Sequence, residues 1–335
     1  MEQQLGNGLM ALSLFSGGGG LDLGYERAGF THLASYEWLE PAAATLVKAR
    51  PDWLVYGGDE GDVRYVDWTR YKDIDVLHGG PPCQPFSTAG RQKGAADPRD
   101  MVPEFTRAVM EARPRVFQME NVPALAQRKF SAYVESSILT PLGSDYEIST
   151  AFLHAADFGV PQSRKRVFFV GVRRDLQRRF DFPPPTHRWD HLVGASAPSA
   201  PELFTEFGDL RQAMGARAAL GLPDLGLDRL APTLRSTLNG PRNTTSILSS
   251  TAAQRVWSEL EIWPNGVAED RERARAFVAK NGHFRLSVAD CAILQGFPDD
   301  WPFQGATYMS LGQIGNAVPP PLAYAVAAAI ARVLH

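Results

Sequence analysis

Three observations in the sequence predict an α/β fold, a doubly wound and mostly parallel sheet domain joined to a smaller, irregular one. Short apolar runs alternate with helix-length stretches through the first half of the chain, a run of glycines follows the first apolar run, and after Phe182 the pattern gives way to scattered Pro, Gly, Ala and Ser. Strands buried on both faces read as continuous apolar runs, and crossover helices between them carry a helical period, so this alternation is how βαβ units appear in a sequence.

The elements follow in order. Residues 10–15 give the first strand and 21–28 the first helix; 32–36 and 41–49 repeat the pair. A third strand is expected to end near Asp62. Residues 74–77 precede a helix over 102–112, and 116–119 precede one over 126–139. Residues 146–153 and 167–172, rich in β-branched and aromatic side chains, add two strands. Beyond Pro183-Pro184-Pro185 the periodicity is weak until a helix-like stretch at 287–295. Leu322, Val326 and Ile330 then repeat every four residues, as one buried face of a helix would. The final helix regains the character of the first half, so the expected division is 1–180 plus 306–335 for the sheet domain and 181–305 for the second domain.

With 335 residues, 44% hydrophobic and 21% charged, the chain has room for a sizeable core plus a smaller domain. Its two cysteines cannot form a disulfide framework, and the seven histidines show no metal-ligand spacing, so a cytoplasmic protein without a metal is expected. Residues 9–15 lack a basic flank and read as a buried strand rather than a leader, and the alanine-rich end is broken by Pro319, Pro320 and Pro321, which argues against a membrane span. A net charge of −3 argues mildly against a nucleic-acid partner. Against that stands a basic run, Arg164, Lys165, Arg166, Arg173, Arg174, Arg178 and Arg179, with Asp175 its one acid. Such a run is either a binding face or simply a solvated one.

Cys83 is the most informative residue. It lies in Gly80-Pro81-Pro82-Cys83-Gln84-Pro85-Phe86-Ser87, where a rigid Pro-Pro pair removes backbone freedom and aims the sulfur. A lone cysteine is commonly just a small buried hydrophobe. This one follows a strand whose C-terminal end is where open α/β sheets place their chemistry, so it reads as a nucleophile. Cys291 sits mid-helix with no turn around it and reads as structural.

Phe15-Ser16-Gly17-Gly18-Gly19-Gly20 connects the first strand to the first helix, a setting in which a cofactor approaches the backbone closely. The dinucleotide fingerprint fails, since its third glycine position holds Asp22 or Leu23 depending on the frame. Glu37 closes the second strand and can accept both hydroxyls of a ribose; Trp38 beside it can stack on a flat base; Asp62 can accept from an adenine amino group. Each alone could be surface or core. Together they suit an adenosine without a pyrophosphate, which leaves a nicotinamide-dependent oxidoreductase poorly supported.

At this point the chain resembles the cytosine-5 DNA methyltransferases, which use S-adenosylmethionine. The resemblance runs in the family's order through the 15–20 loop, Glu37-Trp38, Asp62, Gly80-Pro81-Pro82-Cys83-Gln84, Glu120-Asn121-Val122, Gln162-Ser163-Arg164-Lys165-Arg166, Gln295-Gly296-Phe297-Pro298 and Gly315-Asn316-Ala317-Val318. Only about 179–284 lacks a family pattern. Two departures stand out: Ser13 where Asp is common, and Asp290 where Glu is usual.

The resemblance implies a methyltransferase domain with a smaller target-recognition domain, and roles for particular residues. Carbon 5 of cytosine is too weak a nucleophile until a thiolate adds at carbon 6, the role implied for Cys83. Glu120 would stabilise the ring at nitrogen 3 as charge builds, Arg166 would contact the carbonyl oxygen, and Arg164 would support it or a nearby phosphate. Phe15, Ser16, Gly17, Gly19, Glu37, Trp38, Asp62, Pro82 and Asn316 would line the S-adenosylmethionine site. The ring faces of a stacked base are inaccessible, so the target must flip out of double-stranded DNA. Residues 87–94 would form a loop closing over it, with Gln84, Ser87 and Arg91 against DNA. Between 233 and 245 lie side chains of the kind that read base edges, Arg235, Asn239, Arg242 and Asn243. The family further implies a monomer, one arm of a restriction-modification pair with a cognate restriction endonuclease. Two alternatives stay open: a tRNA cytosine-5 methyltransferase, and a catalytically silent DNA-binding relative.

Overall fold

A computed structural model describes residues 6–82, 100–192, 210–234, 245–277 and 282–335. The chain forms two compact units, the first comprising Met1–Leu153, Lys165–Pro183 and Ala323–His335, the second His154–Arg164 and Pro184–Leu322.

The first unit is built on a seven-stranded sheet of β1 (Met10–Leu14), β2 (Thr31–Glu37), β3 (Val55–Gly57), β4 (Val76–Gly79), β5 (Val116–Asn121), β6 (Tyr146–His154) and β7 (Lys165–Arg173), in the order β3-β2-β1-β4-β5-β7-β6. The first five are mutually parallel and β7 runs antiparallel to β5, so the sheet is mostly parallel as the alternation predicts. Helices α1 (Gly20–Arg27), α2 (Glu40–Ala49) and α3 (Val102–Ala112) make the connections. Strand order reverses between β1 and β4, the point at which an open α/β sheet opens a crevice beyond its strand ends. Leu12, Leu77 and Phe117 from adjacent strands are fully buried, each contributing about 1.5–3 kcal/mol through loss of apolar surface to water.

One row of this core is polar. Ser35, Ser13, His78 and Gln118 are register partners across β2, β1, β4 and β5. Helix α1 covers the row: Asp22 accepts from the Ser35 hydroxyl at 2.9 Å, and Tyr25 donates to Gln118 at 2.9 Å while stacking on His78 with ring centroids 4.0 Å apart. Burial holds the His78 imidazole neutral, its pKa pushed down to about 4.

The helix expected over 126–139 takes a different form. Short 3-10 turns occupy Pro123–Ala126 and Arg128–Phe130, after which α4 (Ser131–Val134), a π-helical turn at Glu135–Leu139 and α5 (Thr140–Gly143) run on continuously. The cause is Pro141, which has no N–H to offer the carbonyl four residues back. That carbonyl, Ser137, accepts instead from the Thr106 hydroxyl of α3 at 2.7 Å. The expected third strand is also brief: β3 ends at Gly57, and Asp62 follows a 3-10 turn, Gly58–Gly61, and caps the next one at Val63–Tyr65.

Among its described residues the second unit holds two small sheets, β8 (His187–Arg188) with β9 (Arg211–Gln212), and β10 (Ile262–Ala268) with β11 (Phe284–Ser287). Its helices are α6 (Ala216–Ala219), α7 (Thr251–Glu259), α8 (Arg271–Arg275), α9 (Val288–Gln295) and α10 (Thr307–Asn316). Ser287 and Asp290 form a reciprocal capping box on α9, so Asp290 does the work of a Glu here with a shorter side chain, and it also pairs with Arg271 at 3.1 Å. Residues 306–322 belong to this unit, with α10 packed on α9, whereas α11 (Pro320–Leu334) lies in the first unit from Ala323 onward. Thr307–Leu334 is long and apolar enough to cross a membrane by composition, but most of it is buried within the protein and it is divided into α10 and α11.

Candidate active site

The C-terminal ends of β1, β2, β4 and β5 carry the motif residues of the first unit. The chain leaves β1 through Phe15, which adopts a left-handed conformation (φ 55°) uncommon for a bulky side chain and held here by its surroundings. Ser16 donates its N–H to the Tyr36 carbonyl at 3.3 Å, and its hydroxyl pairs with that of Ser13 at 2.8 Å. The position where the family commonly has Asp therefore ties strand to loop through a hydroxyl pair. Gly17 donates its N–H to Glu37 at 2.6 Å, and Gly19 is the residue from which α1 starts.

Glu37 is the hub of this end of the sheet. One carboxylate oxygen accepts from Gly17 and the other from the Leu39 N–H at 2.7 Å. Burial pushes its pKa up, while these two donors act in the opposite sense. Trp38 is 60% exposed, presenting its indole beside the carboxylate. Gly61 brings the Asp62 turn against the same strand end: a Cβ there would lie 2.4 Å from the Glu37 carbonyl oxygen, so only glycine permits the approach. Asp62 accepts from the Arg64 guanidinium at 2.5–3.1 Å and from the Arg64 N–H, which hold its carboxyl below the usual range. Two carboxylate acceptors, an exposed indole and a glycine-rich turn suit the hydroxyls of a ribose and the amino group and face of an aminopurine.

A second group lies at the ends of β4 and β5. Glu120, near the end of β5, makes an ion pair with Arg166 at 2.8 Å, both side chains about nine-tenths covered. The antiparallel register of β5 and β7, which pairs Asn121 with Val167, sets the two side by side. Gly80 packs against the carboxylate, since a Cβ there would sit 2.9 Å from Glu120 Oε2. Asn121 donates its side-chain N–H to the Pro81 carbonyl at 3.1 Å and accepts from the Val122 N–H, so it fixes the turn that leads through Pro82 toward Cys83. Asn121 stood in the sequence motif but carried no expected role; the signal was its place next to Glu120, and the partner across the turn could not be read from spacing. Cys83, Gln84, Ser87 and Arg91 lie outside the described residues, as do Arg235, Asn239, Arg242 and Asn243.

Within the second unit, Arg164 differs from expectation. It is fully buried and donates to the carbonyls of Gly315 and Ala317 at 2.8 and 2.9 Å, which places it behind the turn that carries exposed Asn316 at the end of α10 rather than where a phosphate could reach it. Gln162 donates to Leu294 and Gln295, and Gln295 to Ala317, so three motifs far apart in sequence share one buried network. Gln162 also accepts from the Leu234 N–H at 3.1 Å, and Thr233 donates to the Ser163 carbonyl, docking the residues that precede 235–244.

The basic run is not one face. Arg166 opens β7 beside Glu120, whereas Arg173 closes the same strand at the opposite end of the sheet, paired with Asp73 and Asp175. Arg174 donates to the Gly143 carbonyl, Arg178 to Val333, and Arg179 pairs with Glu147. A strand of nine residues separates the two groups by roughly 25 Å.

Comparison with known proteins bears on the family and the fold. The family of C-5 cytosine-specific DNA methylases matches residues 9–332. The Type II methyltransferase M.NgoMIV of Neisseria gonorrhoeae is 37% identical over 326 residues, covering 97% of each chain. Among solved structures, the Entamoeba histolytica methyltransferase EhMeth superposes with a TM-score of 0.62 at 15% identity, covering 98% of this chain and 99% of its own. A Spodoptera frugiperda DNMT2 variant gives 0.60 at 16% identity, covering 97% and 98%; at such identities these two show the fold alone. With the family model matched over residues 9–332 and a relative 37% identical across 97% of each chain, the chain belongs to the C-5 cytosine-specific DNA methylases and is a DNA cytosine-5 methyltransferase.

Proposed function

We propose that the chain transfers a methyl group from S-adenosylmethionine to carbon 5 of a cytosine flipped out of a specific duplex DNA sequence, through a covalent adduct with Cys83. The observation that carries this reading is the buried Glu120–Arg166 pair packed against Gly80, three residues before Cys83 in the chain. A carboxyl and a guanidinium held together in one orientation offer complementary contacts to nitrogen 3 and the carbonyl oxygen of one cytosine ring.

The chain's residues divide the work. Glu37 would accept from the ribose hydroxyls of the donor, Trp38 would cover its base, Asp62 would accept from the base amino group alongside its contacts to Arg64, and the Phe15, Ser16, Gly17 and Gly19 loop would lie against its amino-acid portion together with Pro82; the family resemblance assigns Asn316 to the same ligand. Bound there, S-adenosylmethionine supplies a methyl group on a positively charged sulfur. The Cys83 thiolate would add to carbon 6 of the cytosine and so make carbon 5 nucleophilic enough to accept the methyl group that the donor would supply. Glu120 as the carboxylic acid would donate its proton to ring nitrogen 3 while Arg166 donates to the carbonyl oxygen, and together they would stabilise the negative charge that develops on the ring. Loss of the carbon 5 proton to a base and expulsion of the thiolate then restore the ring. Arg164 acts through the 315–317 turn as a positioning residue, and Asn121 through the Pro81 turn.

The second unit is the target-recognition domain in this reading, with Arg235, Asn239, Arg242 and Asn243 as base readers and Gln84, Ser87 and Arg91 close to the DNA. Relatives named as Type II methyltransferases support a role in restriction-modification; a restriction endonuclease of the same site as partner and a methyltransferase that acts as a monomer belong to the same proposal. The test is transfer of labelled methyl from S-adenosylmethionine to duplex DNA and to tRNA, followed by mapping of the modified bases. Label confined to cytosine in one short duplex sequence supports the proposal. Label on tRNA alone would move the substrate to RNA, and tight DNA binding without label would identify a silent relative.

A further inference from the structure

We propose that Arg107 is a positioning residue for methyl-donor binding, an inference that rests on the assignment of Asp62 to the donor site. Arg107 lies at mid-length on α3, and its guanidinium reaches over the 63–68 segment that follows Asp62. Nη2 donates to the carbonyls of Val63 at 2.7 Å and Arg64 at 3.3 Å, and Nη1 to that of Val66 at 3.1 Å. Nε donates to Glu104 at 2.8 Å and Nη1 also to Glu111 at 3.0 Å, carboxylates one turn before and one turn after it on the same helix. Glu111 in turn accepts from the Trp68 N–H at 3.3 Å, and Trp68 is fully buried.

A guanidinium has five N–H donors in a fixed fork, and each of Arg107's finds an acceptor here, two carboxylates and three carbonyls. The three carbonyls belong to a 3-10 turn and its exit, where the backbone has few partners of its own. Without the fork, the turn that starts at Asp62 would be held by the close approach of Gly61 to Glu37 and by the buried side chains of Val63, Val66 and Trp68, which anchor it to the core but do not bond its carbonyls. The orientation of the Asp62 carboxylate follows from that turn, since Asp62 is its cap and accepts from the Arg64 N–H within it. Arg107 does not itself touch the donor; it holds the backbone that aims the residue which does. Lysine retains the charge but has a single nitrogen whose donors cannot span carbonyls and carboxylates in this spread.

The experiment compares wild type, Arg107→Lys and Glu111→Gln. Calorimetric binding of S-adenosylhomocysteine is read first, then KM for S-adenosylmethionine and kcat on duplex DNA, and the melting temperature without ligand. Arg107→Lys should weaken S-adenosylhomocysteine binding and raise KM for the donor by roughly tenfold or more, with kcat and KM for DNA changed by less than about twofold. Glu111→Gln, which keeps the guanidinium but loosens its anchor, should move both in the same direction by a smaller factor and gives the test should Arg107→Lys fail to fold. A lower melting temperature with unchanged donor affinity in both variants would mean that Arg107 only stabilises the fold, and would overturn the inference. Wild-type protein that binds no S-adenosylhomocysteine would instead remove the functional reading on which it rests, and the inference with it.

Discussion

Gly80 shows how much of the site depends on the absence of a side chain. Its backbone passes so close to Glu120 that a methyl group would stand 2.9 Å from Oε2, and Glu120 is held from the other side by Arg166. Gly80→Ala is therefore expected to displace the carboxylate or break the pair, lowering kcat on DNA by about a hundredfold, because misplacement of a reacting group by about 1 Å is that costly. Affinity for S-adenosylhomocysteine, whose proposed contacts centre on Glu37, should remain within about twofold. Equal activity in the variant would mean that the carboxylate has room to move and that its placement is not critical. At this scale the sequence was informative about residue types and silent about partners. Glu120 and Arg166 stand far apart in the chain, and only the antiparallel register of β5 and β7 joins them. Arg164 shows the converse, a residue that matches a motif yet is spent on buried carbonyls.

The elements that the sequence made legible are those with a strong period or a strand-forming composition, β1, β2, β4 to β7, the helices α1 to α3, α9 and the final helix α11. Those whose bounds or form it misplaced have local causes that act through space. Strand β3 is only three residues at a sheet edge, too short to show a pattern, and the 131–143 helix contains a π turn because Pro141 removes one donor. Thr106 replaces that donor from α3. Thr106→Val should cost about 1–2 kcal/mol in urea denaturation by leaving the Ser137 carbonyl without its hydroxyl. Pro141→Ala restores an N–H four residues along, so the double variant should recover most of the loss in a double-mutant cycle. Strictly additive effects would show that the hydroxyl and the proline are unrelated. The irregular second unit was legible only as irregular; its small sheets pair segments as short as two residues, below the length at which alternation is detectable.

For the molecule as a whole, the fold class and the end of the sheet that carries chemistry followed from alternation and glycine placement, while the buried polar row beneath α1 did not. His78 in that row makes stability depend on pH. Its folded pKa of about 4 lies below the ordinary histidine value, so at mildly acid pH the unfolded chain takes up a proton that the folded one refuses. The contribution is present in full above the ordinary histidine pKa and is lost as pH falls toward the folded value, amounting to about 2 kcal/mol at a pH of about 5. Urea unfolding of wild type and His78→Gln at a pH of about 8 and about 5 should show a steeper loss in wild type. Glu37, whose raised pKa acts with the opposite sign, is common to both proteins and cancels in the comparison. Parallel losses would show that His78 is charged in the folded state. The measurement that bears most directly on the central claim is covalent capture on duplex DNA carrying 5-fluorocytosine at the mapped target. Fluorine at carbon 5 cannot leave as a proton does, so after methyl transfer the thiolate has no route out. The account predicts a donor-dependent protein–DNA adduct whose mass locates the bond at Cys83 and which Cys83→Ser abolishes; full methylation of ordinary duplex by Cys83→Ser, or an adduct at another residue, would contradict it.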